Sequence, residues 1–291
     1  TAHINSPASM FGHTFLRIDS SFESKLLSHA VNYAAEADQN KENGFVFAIK
    51  GLFGGYMGKY SILPYYEKLK EYSDTEARDI WEFDLNLTKD ELIRMADHIW
   101  ELQDVYSKYY FFDENCSYNI LWLLEIARPT VSLRDEFFYH LSPTETLFAF
   151  QKEELIKNTK YRPSKYTKLK EYETTLSKAH KQYVIDLTSG NLHPAKLAQR
   201  VSSKKIRQNI LNAAMEYNEY RYIKRDTDKS AYIKTSHLLA SRRSKLGRGK
   251  AQNISSPHKP TQGHRQFRTT FQHQWQDGDH GSVVGFRPAY H

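Results

Sequence analysis

The single cysteine of the chain, Cys116, lies where a helix is predicted to begin. Apolar residues follow it with helical spacing up to Ala127, and Asp113 or Asn115 can cap the first turn. A cysteine there lies beside free backbone N–H groups and the positive end of the helix dipole, which lower the pKa of a thiol. Those N–H groups, with Asn115 and Ser117 beside the thiol, can also hold an oxyanion. Cys116 is therefore a candidate nucleophile, although a buried, unreactive cysteine fits the same spacing.

Two histidines lie on segments that alternate like strands. His13 begins the segment HTFLRID, and His29 lies in LLSHAVNYAA, which we predict to be the antiparallel neighbour of the first segment. If the predicted helix packs on this sheet, the Cys116 thiolate and an imidazole come within reach of each other, as thiol-dependent acyl transfer requires. The second histidine would orient the first. Each histidine alone also fits a hydrogen-bonded structural residue.

Composition limits the classes of function. Aromatic residues make up 14% of the chain, with 20 Tyr and 16 Phe, which argues against disorder. One cysteine excludes an intramolecular disulfide and a multi-thiolate zinc site, and no H-E-x-x-H motif is present, so we expect no metal. No apolar run approaches the length of a membrane span.

Charge divides the chain in two. Residues 1–150 carry 13 Lys and Arg against 23 Asp and Glu, whereas residues 151–250 carry 24 against 9. The change indicates a domain boundary, and the basic part suits an anionic lipid surface or nucleic acid, or is a solvated helical face. No nucleic-acid-binding motif accompanies the basic runs, so we expect no nucleic-acid partner. The oligomeric state stays open.

The order of predicted elements indicates an α+β fold in four parts. We predict an antiparallel sheet with the cysteine helix over residues 1–143 and a basic helical subdomain over 144–244. A linker rich in Gly, Pro and Ser follows over 245–263. Residues 264–291 carry a hairpin signal, which we interpret as the first hairpin of a C-terminal β domain that continues beyond the sequence.

Three segments carry more specific predictions. Thr88 with Glu91 three residues later forms a capping box, which predicts a helix after the strand ARDIWEFDLNL. The helical pattern that begins at Thr144 is predicted to run through Asn158. The apolar segment from Phe45 to Tyr66 is broken by four glycines and is predicted to be a long strand with a flexible hairpin or flap rather than a helix.

Long motifs carry a family resemblance. The segments SPASMFGHTFLRID, SHAVNYAAE, RDIWEFDLNL, YYFFDENCSYNILWLLEIARP and GFRPAYH resemble the Lnb-type N-terminal periplasmic domain family of Gram-negative bacteria. That family is similar in layout to permuted papain-like enzymes, which include lecithin:retinol acyltransferase and relatives of the NlpC peptidases. The resemblance implies that Cys116 is the nucleophile, His13 the base and His29 the orienting group. Asn32, on the same strand as His29, is the alternative third member.

The resemblance also implies an activity. The resemblance implies a role in lipoprotein maturation. In this process an acyl chain passes from a phospholipid through a cysteine thioester to the amine of a lipoprotein. This chemistry requires no cofactor and implies a periplasmic, membrane-associated protein with phospholipid and lipoprotein substrates. Aromatic side chains, one methionine and one arginine are then expected to contact the lipid, namely Phe53, Tyr56, Met57, Tyr65, Tyr66 and Arg17.

Two other functions remain open from the sequence. A cell-wall peptidase or amidase of the NlpC type would use the same thiol on a peptide. A non-enzymatic periplasmic binding or assembly module would not need Cys116 at all. The acyltransferase is the preferred hypothesis because the order of the histidines and the cysteine follows the permuted arrangement.

Overall fold

The computed structural model describes residues 12–19, 24–37, 43–75, 78–135, 137, 141–249, 254–262, 265–276 and 279–290. The fold is α+β, as the sequence predicts, with antiparallel sheets. The strands are β1 (Leu16–Ile18), β2 (His29–Ala35), β3 (Tyr56–Pro64), β4 (Ile80–Leu85), β5 (Tyr106–Tyr109), β6 (Ile156–Arg162), β7 (Arg265–Gln276) and β8 (Asp279–Tyr290). The helices are α1 (Gly44–Leu52), α2 (Tyr65–Lys70), α3 (Lys89–Glu101), α4 (Cys116–Ala127), α5 (Pro143–Lys152), α6 (Lys165–Thr175), α7 (Lys178–Ser189), α8 (Leu197–Arg200), α9 (Lys204–Ile223) and α10 (Lys229–Lys245).

A four-stranded sheet and helix α4 form the centre of the first part of the chain. The strand order is β1-β2-β3-β5, and every neighbouring pair is antiparallel. Helix α4 packs on β2 and against α3 and α5. Each fully buried aliphatic side chain in this core contributes about 1.5–3 kcal/mol. The core includes Leu16, Val31, Ile99, Ile120, Leu121, Leu124 and Phe150.

The helical part has a core of its own. Helices α6, α7 and α10 pack against α9, which is the longest of the described helices. Buried residues of this second core include Leu187, Ile210, Leu211, Ala214 and Leu239. Asp79, just before β4, accepts hydrogen bonds from the Ser164 backbone N–H (2.8 Å) and the Thr167 hydroxyl (2.7 Å) at the start of α6. The carboxylate therefore ties the helical part to the second sheet, which consists of β4 and β6.

The predicted C-terminal hairpin is confirmed. Strands β7 and β8 pair in continuous antiparallel register from Arg265 opposite Tyr290 to Gln276 opposite Asp279. The first two residues of the predicted turn, at positions 277 and 278, lie outside the described residues.

The prediction for the segment from Phe45 to Tyr66 is wrong in its first half. Residues up to Leu52 form helix α1, and only Tyr56–Pro64 is a strand. In a short apolar segment, the spacing of the residues does not distinguish a buried helix from a buried strand. The prediction therefore depended on the glycines, which here do not mark a strand. Gly51 serves a close approach, because a Cβ added to it would lie 2.2 Å from the Phe111 ring. Gly54 has φ +68 and turns the chain from α1 toward β3.

The helix predicted through Asn158 also ends earlier. Helix α5 stops at Lys152, Glu154 takes a left-handed φ of 51, and β6 begins at Ile156. Strand β6 pairs with β4 from Ile80 opposite Arg162 to Leu85 opposite Ile156. Local helix propensity is overridden here by pairing with a distant strand. The capping box at Thr88 is confirmed at the start of α3.

Candidate active site

Cys116 is the first residue of α4 and is buried. Asn115 caps the helix, since its Oδ1 accepts the N–H groups of Ser117 (2.8 Å) and Tyr118 (3.3 Å). The amide nitrogen of Asn115 donates to the carbonyls of Phe111 (3.1 Å) and Leu141 (2.7 Å). The cap is thus tied to the chain on both sides, and it fixes the position of the thiol.

The His13 imidazole bridges the thiol and a carboxamide. It hydrogen-bonds to the Cys116 side chain. Its Nε2 lies 2.5 Å from Asn32 Oδ1, which leaves Nδ1 as the ring nitrogen for the sulfur. The ring also stacks on Tyr72, with centroids 5.8 Å apart and planes 15° apart. The thiol, the imidazole and Asn32 therefore form one connected array.

The array favours charge separation between sulfur and imidazole. Burial alone would raise the pKa of the Cys116 thiol, but the imidazole of His13, the Thr14 backbone N–H and the Tyr109 hydroxyl lower that pKa from 9.0 to about 7. Burial alone would lower the pKa of His13, but the Cys116 thiolate and Asn32 raise it above 6.5. Both shifts favour a thiolate and imidazolium pair near neutral pH.

His29 is not part of this array. It is exposed, and in the sheet it stands opposite Ile18 of β1 and Pro64 of β3. His29 and Asn32 are three residues apart on β2, so their side chains point to opposite faces of the strand. The structure places Asn32, the alternative third member, at His13 and leaves His29 away from the thiol.

Tyr109 at the end of β5 is a site residue that the sequence reasoning missed. Its hydroxyl accepts the Cys116 backbone N–H at 3.3 Å and also hydrogen-bonds to the thiol. Burial, and then the charge of Cys116, raise the pKa of Tyr109, so the phenol stays protonated as a donor. The signal available in the sequence is its place in the aromatic run just before the cysteine.

The expected set of oxyanion donors at the helix start is smaller than predicted. The N–H groups of Ser117 and Tyr118 are already taken by the cap. Ser117 is fully buried, and its hydroxyl lies 3.3 Å from the Thr14 hydroxyl. This contact between two hydroxyl groups gives Ser117 a structural role. The Cys116 N–H is likewise taken, by the Tyr109 oxygen, so the donors at the sulfur are the Thr14 backbone N–H and the Tyr109 hydroxyl.

Two of the predicted lipid-contacting residues are core residues. Tyr56 packs against Phe47 of α1 and against Phe111. Tyr65 is almost fully buried, and its hydroxyl donates to Glu82 at 2.5 Å. The prediction placed both at a surface because it treated the whole segment as a flap. Helix α1 instead covers the Tyr56 side of β3.

The other four predicted contacts lie at or near the surface. Phe53, Met57 and Tyr66 are exposed. Arg17 is engaged by carboxylates of this chain, since its guanidinium lies 2.5 Å from Asp19 and 3.0 Å from Glu82. Its charge is therefore compensated within the protein.

The fold and the site together define a class of protein. It is an α+β protein in which a buried thiol, an imidazole and a carboxamide form one hydrogen-bonded array. A family model described as the Lnb N-terminal periplasmic domain matches residues 1–153. The chain belongs to that family, and it is a periplasmic, Lnb-like protein. A second model, a domain of unknown function (DUF7842), matches residues 159–253. No curated protein and no solved structure matches the chain. None of the helices in the described ranges has the length and apolar character needed to span a bilayer.

Proposed function

We propose that the protein is a thiol acyltransferase that moves an acyl chain from a phospholipid through a Cys116 thioester to an acceptor amine, with a lipoprotein N-terminus as the acceptor. The observation that carries the proposal is the bridge that His13 makes between Cys116 and Asn32. Such a bridge is what a base needs to activate a thiol and to be held in one orientation. The chain belongs to a periplasmic family, and the periplasm is the compartment in which lipoproteins mature, which supports a lipoprotein acceptor.

The first half of the proposed reaction forms the thioester. The Cys116 thiolate attacks the ester carbonyl of the phospholipid, and the carbonyl π electrons move onto oxygen. The Thr14 backbone N–H and the Tyr109 hydroxyl, which both hydrogen-bond to the sulfur, are the donors nearest that oxyanion. The His13 imidazolium gives its proton to the departing lysophospholipid alkoxide as the carbon–oxygen bond breaks. Asn32 holds the ring through Nε2 during the transfer.

The second half transfers the acyl chain. The acceptor amine attacks the thioester carbonyl, and neutral His13 takes the proton that the amine loses. The tetrahedral intermediate collapses, the carbon–sulfur bond breaks, and an amide leaves. Cys116 returns as the thiolate and His13 as the imidazolium, so the pair is ready for another cycle without a cofactor.

The proposal is tested by incubating the protein with a phospholipid and an amine-bearing diacylglyceryl peptide. We expect lysophospholipid and N-acylated peptide in equal amounts, and neither with Cys116→Ser. The His29→Ala variant is the matched control, since His29 lies outside the array and should retain activity. Cleavage of cell-wall stem peptides without lysophospholipid would support the NlpC-type peptidase instead. Cellular function that survives Cys116→Ser would support a binding module.

A further inference from the structure

Helix α1 is apolar on its inner and its outer side. On the inner side Phe47 and Gly51 are buried against the cluster of Tyr56 and Phe111. On the outer side Val46, Ile49 and Leu52 are each 37% to 43% exposed, and Phe53 just after the helix is 77% exposed. Lys50 is the one charged residue between positions 44 and 53. A helix with apolar side chains on both its inner and its outer face is normally enclosed by protein or lipid.

The exposed side chains form one stripe. Val46, Ile49 and Phe53 are related as i, i+3 and i+7, so they lie along a single face of the helix, with Leu52 beside them. We call these four residues the α1 stripe. The surface is continuous and is not a scatter of single apolar side chains, so it requires an explanation.

The α1 stripe lies close to the candidate active site. The Gly51 carbonyl accepts the Phe111 backbone N–H at 2.9 Å, and the Phe111 ring meets the Tyr109 ring edge-on at 6.0 Å. The Tyr109 hydroxyl reaches Cys116. Two aromatic side chains therefore separate helix α1 from the thiol. Whatever covers the stripe is held near the site.

The size and composition of the stripe favour a lipid surface over a protein partner. Four side chains of this size expose a few hundred Å², which is well below the roughly 800 Å² that each partner of a stable protein interface buries. Shallow insertion of a few large apolar side chains, with a basic residue at the headgroup level, is typical of interfacial helices. Lys50 is the basic residue of this helix; it is exposed, and its ammonium lies 5.8 Å from the centroid of the Tyr56 ring.

We propose that helix α1 docks on the membrane, with Val46, Ile49, Leu52 and Phe53 inserted among the lipid chains. The inference rests on the proposed function, because docking through α1 would hold the Cys116 site near phospholipid esters. In this proposal helix α1 takes the place of the flap that the sequence predicts, and the lipid-facing residues are a different set. Of the predicted contacts, Phe53 is retained, and Tyr56 and Tyr65 remain in the core.

The test is co-sedimentation with vesicles of phosphatidylethanolamine and phosphatidylglycerol. The double variant Ile49→Ser/Phe53→Ser should lower vesicle affinity roughly tenfold or more, since two large apolar side chains lose their burial. Trp100→Ser is the matched control, because Trp100 on α3 is 71% exposed and lies outside the stripe. Wild-type binding should persist in about 1 M salt, where the Debye length is about 3 Å. Thermal unfolding should show both variants folded, and Val46→Ser provides a second, milder variant.

Three results would overturn the docking proposal. One is vesicle binding that the double variant leaves unchanged. Another is binding that salt abolishes, which would assign it to the basic helices. The third is a dimer that the double variant converts to a monomer, which would make the stripe a protein interface.

Failure of the proposed function gives a different result. Cys116→Ser should bind vesicles like the wild type, and a water-soluble activated ester should acylate Cys116 equally in the wild type and the double variant. An inactive protein that still binds vesicles through the stripe would contradict only the acyltransferase. An active protein without stripe-dependent binding would contradict only the docking.

Discussion

At the scale of single residues, the decisive feature is that one imidazole contacts both a thiol and a carboxamide. Burial works against charge on either partner, yet the pKa of Cys116 is lowered to about 7 and that of His13 is raised. The partners stabilise each other's charge more than burial destabilises it. The same array explains why Asn32 is buried, since its carboxamide has the imidazole as a partner.

The thiolate should therefore appear as pH rises through about 7. Below that pH the thiol is protonated, and above it the sulfur is a nucleophile. Replacing His13 with Ala removes the largest of the effects that lower the pKa of Cys116, so that pKa should rise above about 7 and less thiolate should form at pH 7. Ultraviolet absorbance of the thiolate measures this directly, because the chain has one cysteine. A midpoint unchanged in His13→Ala would show that the two groups do not interact.

Asn32 should matter for turnover, whereas His29 should not. Asn32→Ala releases His13 Nε2, so the ring is free to leave its productive orientation, and we expect kcat to fall by about 100-fold with KM little changed. His29→Ala, on the same strand but exposed, should keep wild-type kcat. Steady-state kinetics of acyl transfer provides both values. The reverse pattern would restore His29 as the orienting group.

At the scale of elements, β3 and β5 hold Tyr109 where it meets Cys116. Gly58 of β3 stands opposite Ser107 of β5. A Cβ on Gly58 would lie 2.5 Å from the Tyr33 hydroxyl and 3.0 Å from a ring carbon of Tyr109. The missing side chain thus makes room for the two tyrosines that pack beneath the site.

Gly58→Ala should consequently displace Tyr33 and crowd Tyr109, which stacks on it. We expect kcat to fall more than tenfold, and overpacking should destabilise the fold by about 1–3 kcal/mol. Gly281→Ala on the C-terminal hairpin is the control, since a Cβ there meets no atom within 4 Å. Denaturant titration and acyl-transfer kinetics separate the two effects. Full activity in Gly58→Ala would contradict the claim that the packing of Tyr33 and Tyr109 positions the site.

Elements with a clear period and a cap were predictable, and those set by distant contacts were not. Helix α4 follows from its apolar spacing after Asn115, and α3 from its capping box. Helix α1 was missed because an apolar run carries no period, and β6 because its partner β4 lies far away in sequence. The choice between His29 and Asn32 depended on which face of β2 points to His13, and the sequence leaves that face undefined.

At the scale of the whole molecule, a charged network joins the two sheets. Glu82 of β4 is nearly buried and pairs with Arg17 of β1 and Arg162 of β6, and it accepts the Tyr65 hydroxyl. Arg17 is four residues from His13, so the network holds β1, which directly follows the segment that carries the imidazole, against the rest of the molecule. The cost of burying these charges is offset only while all partners are present.

Glu82→Gln should therefore destabilise the fold at neutral pH by about 3 kcal/mol. Burial would raise the pKa of Glu82, but Tyr65, Arg162 and Arg17 lower it below 4.5. The carboxylate's contribution is thus present above pH 4.5 and is lost as pH falls through the lowered pKa. Denaturant unfolding should show a difference between the variant and wild type that shrinks in acid. Exposed Glu101→Gln is the control and should stay within about 0.5 kcal/mol of wild type at both pH values.

The most direct test of the central claim is the intact mass of the protein after exposure to phospholipid without an acceptor amine. The account predicts a mass increase of one acyl chain, located on Cys116 by peptide mapping and removed by hydroxylamine as a thioester is. His13→Ala should slow its appearance, and Cys116→Ser should abolish it. Lysophospholipid release with no acyl group ever on Cys116 would contradict the account.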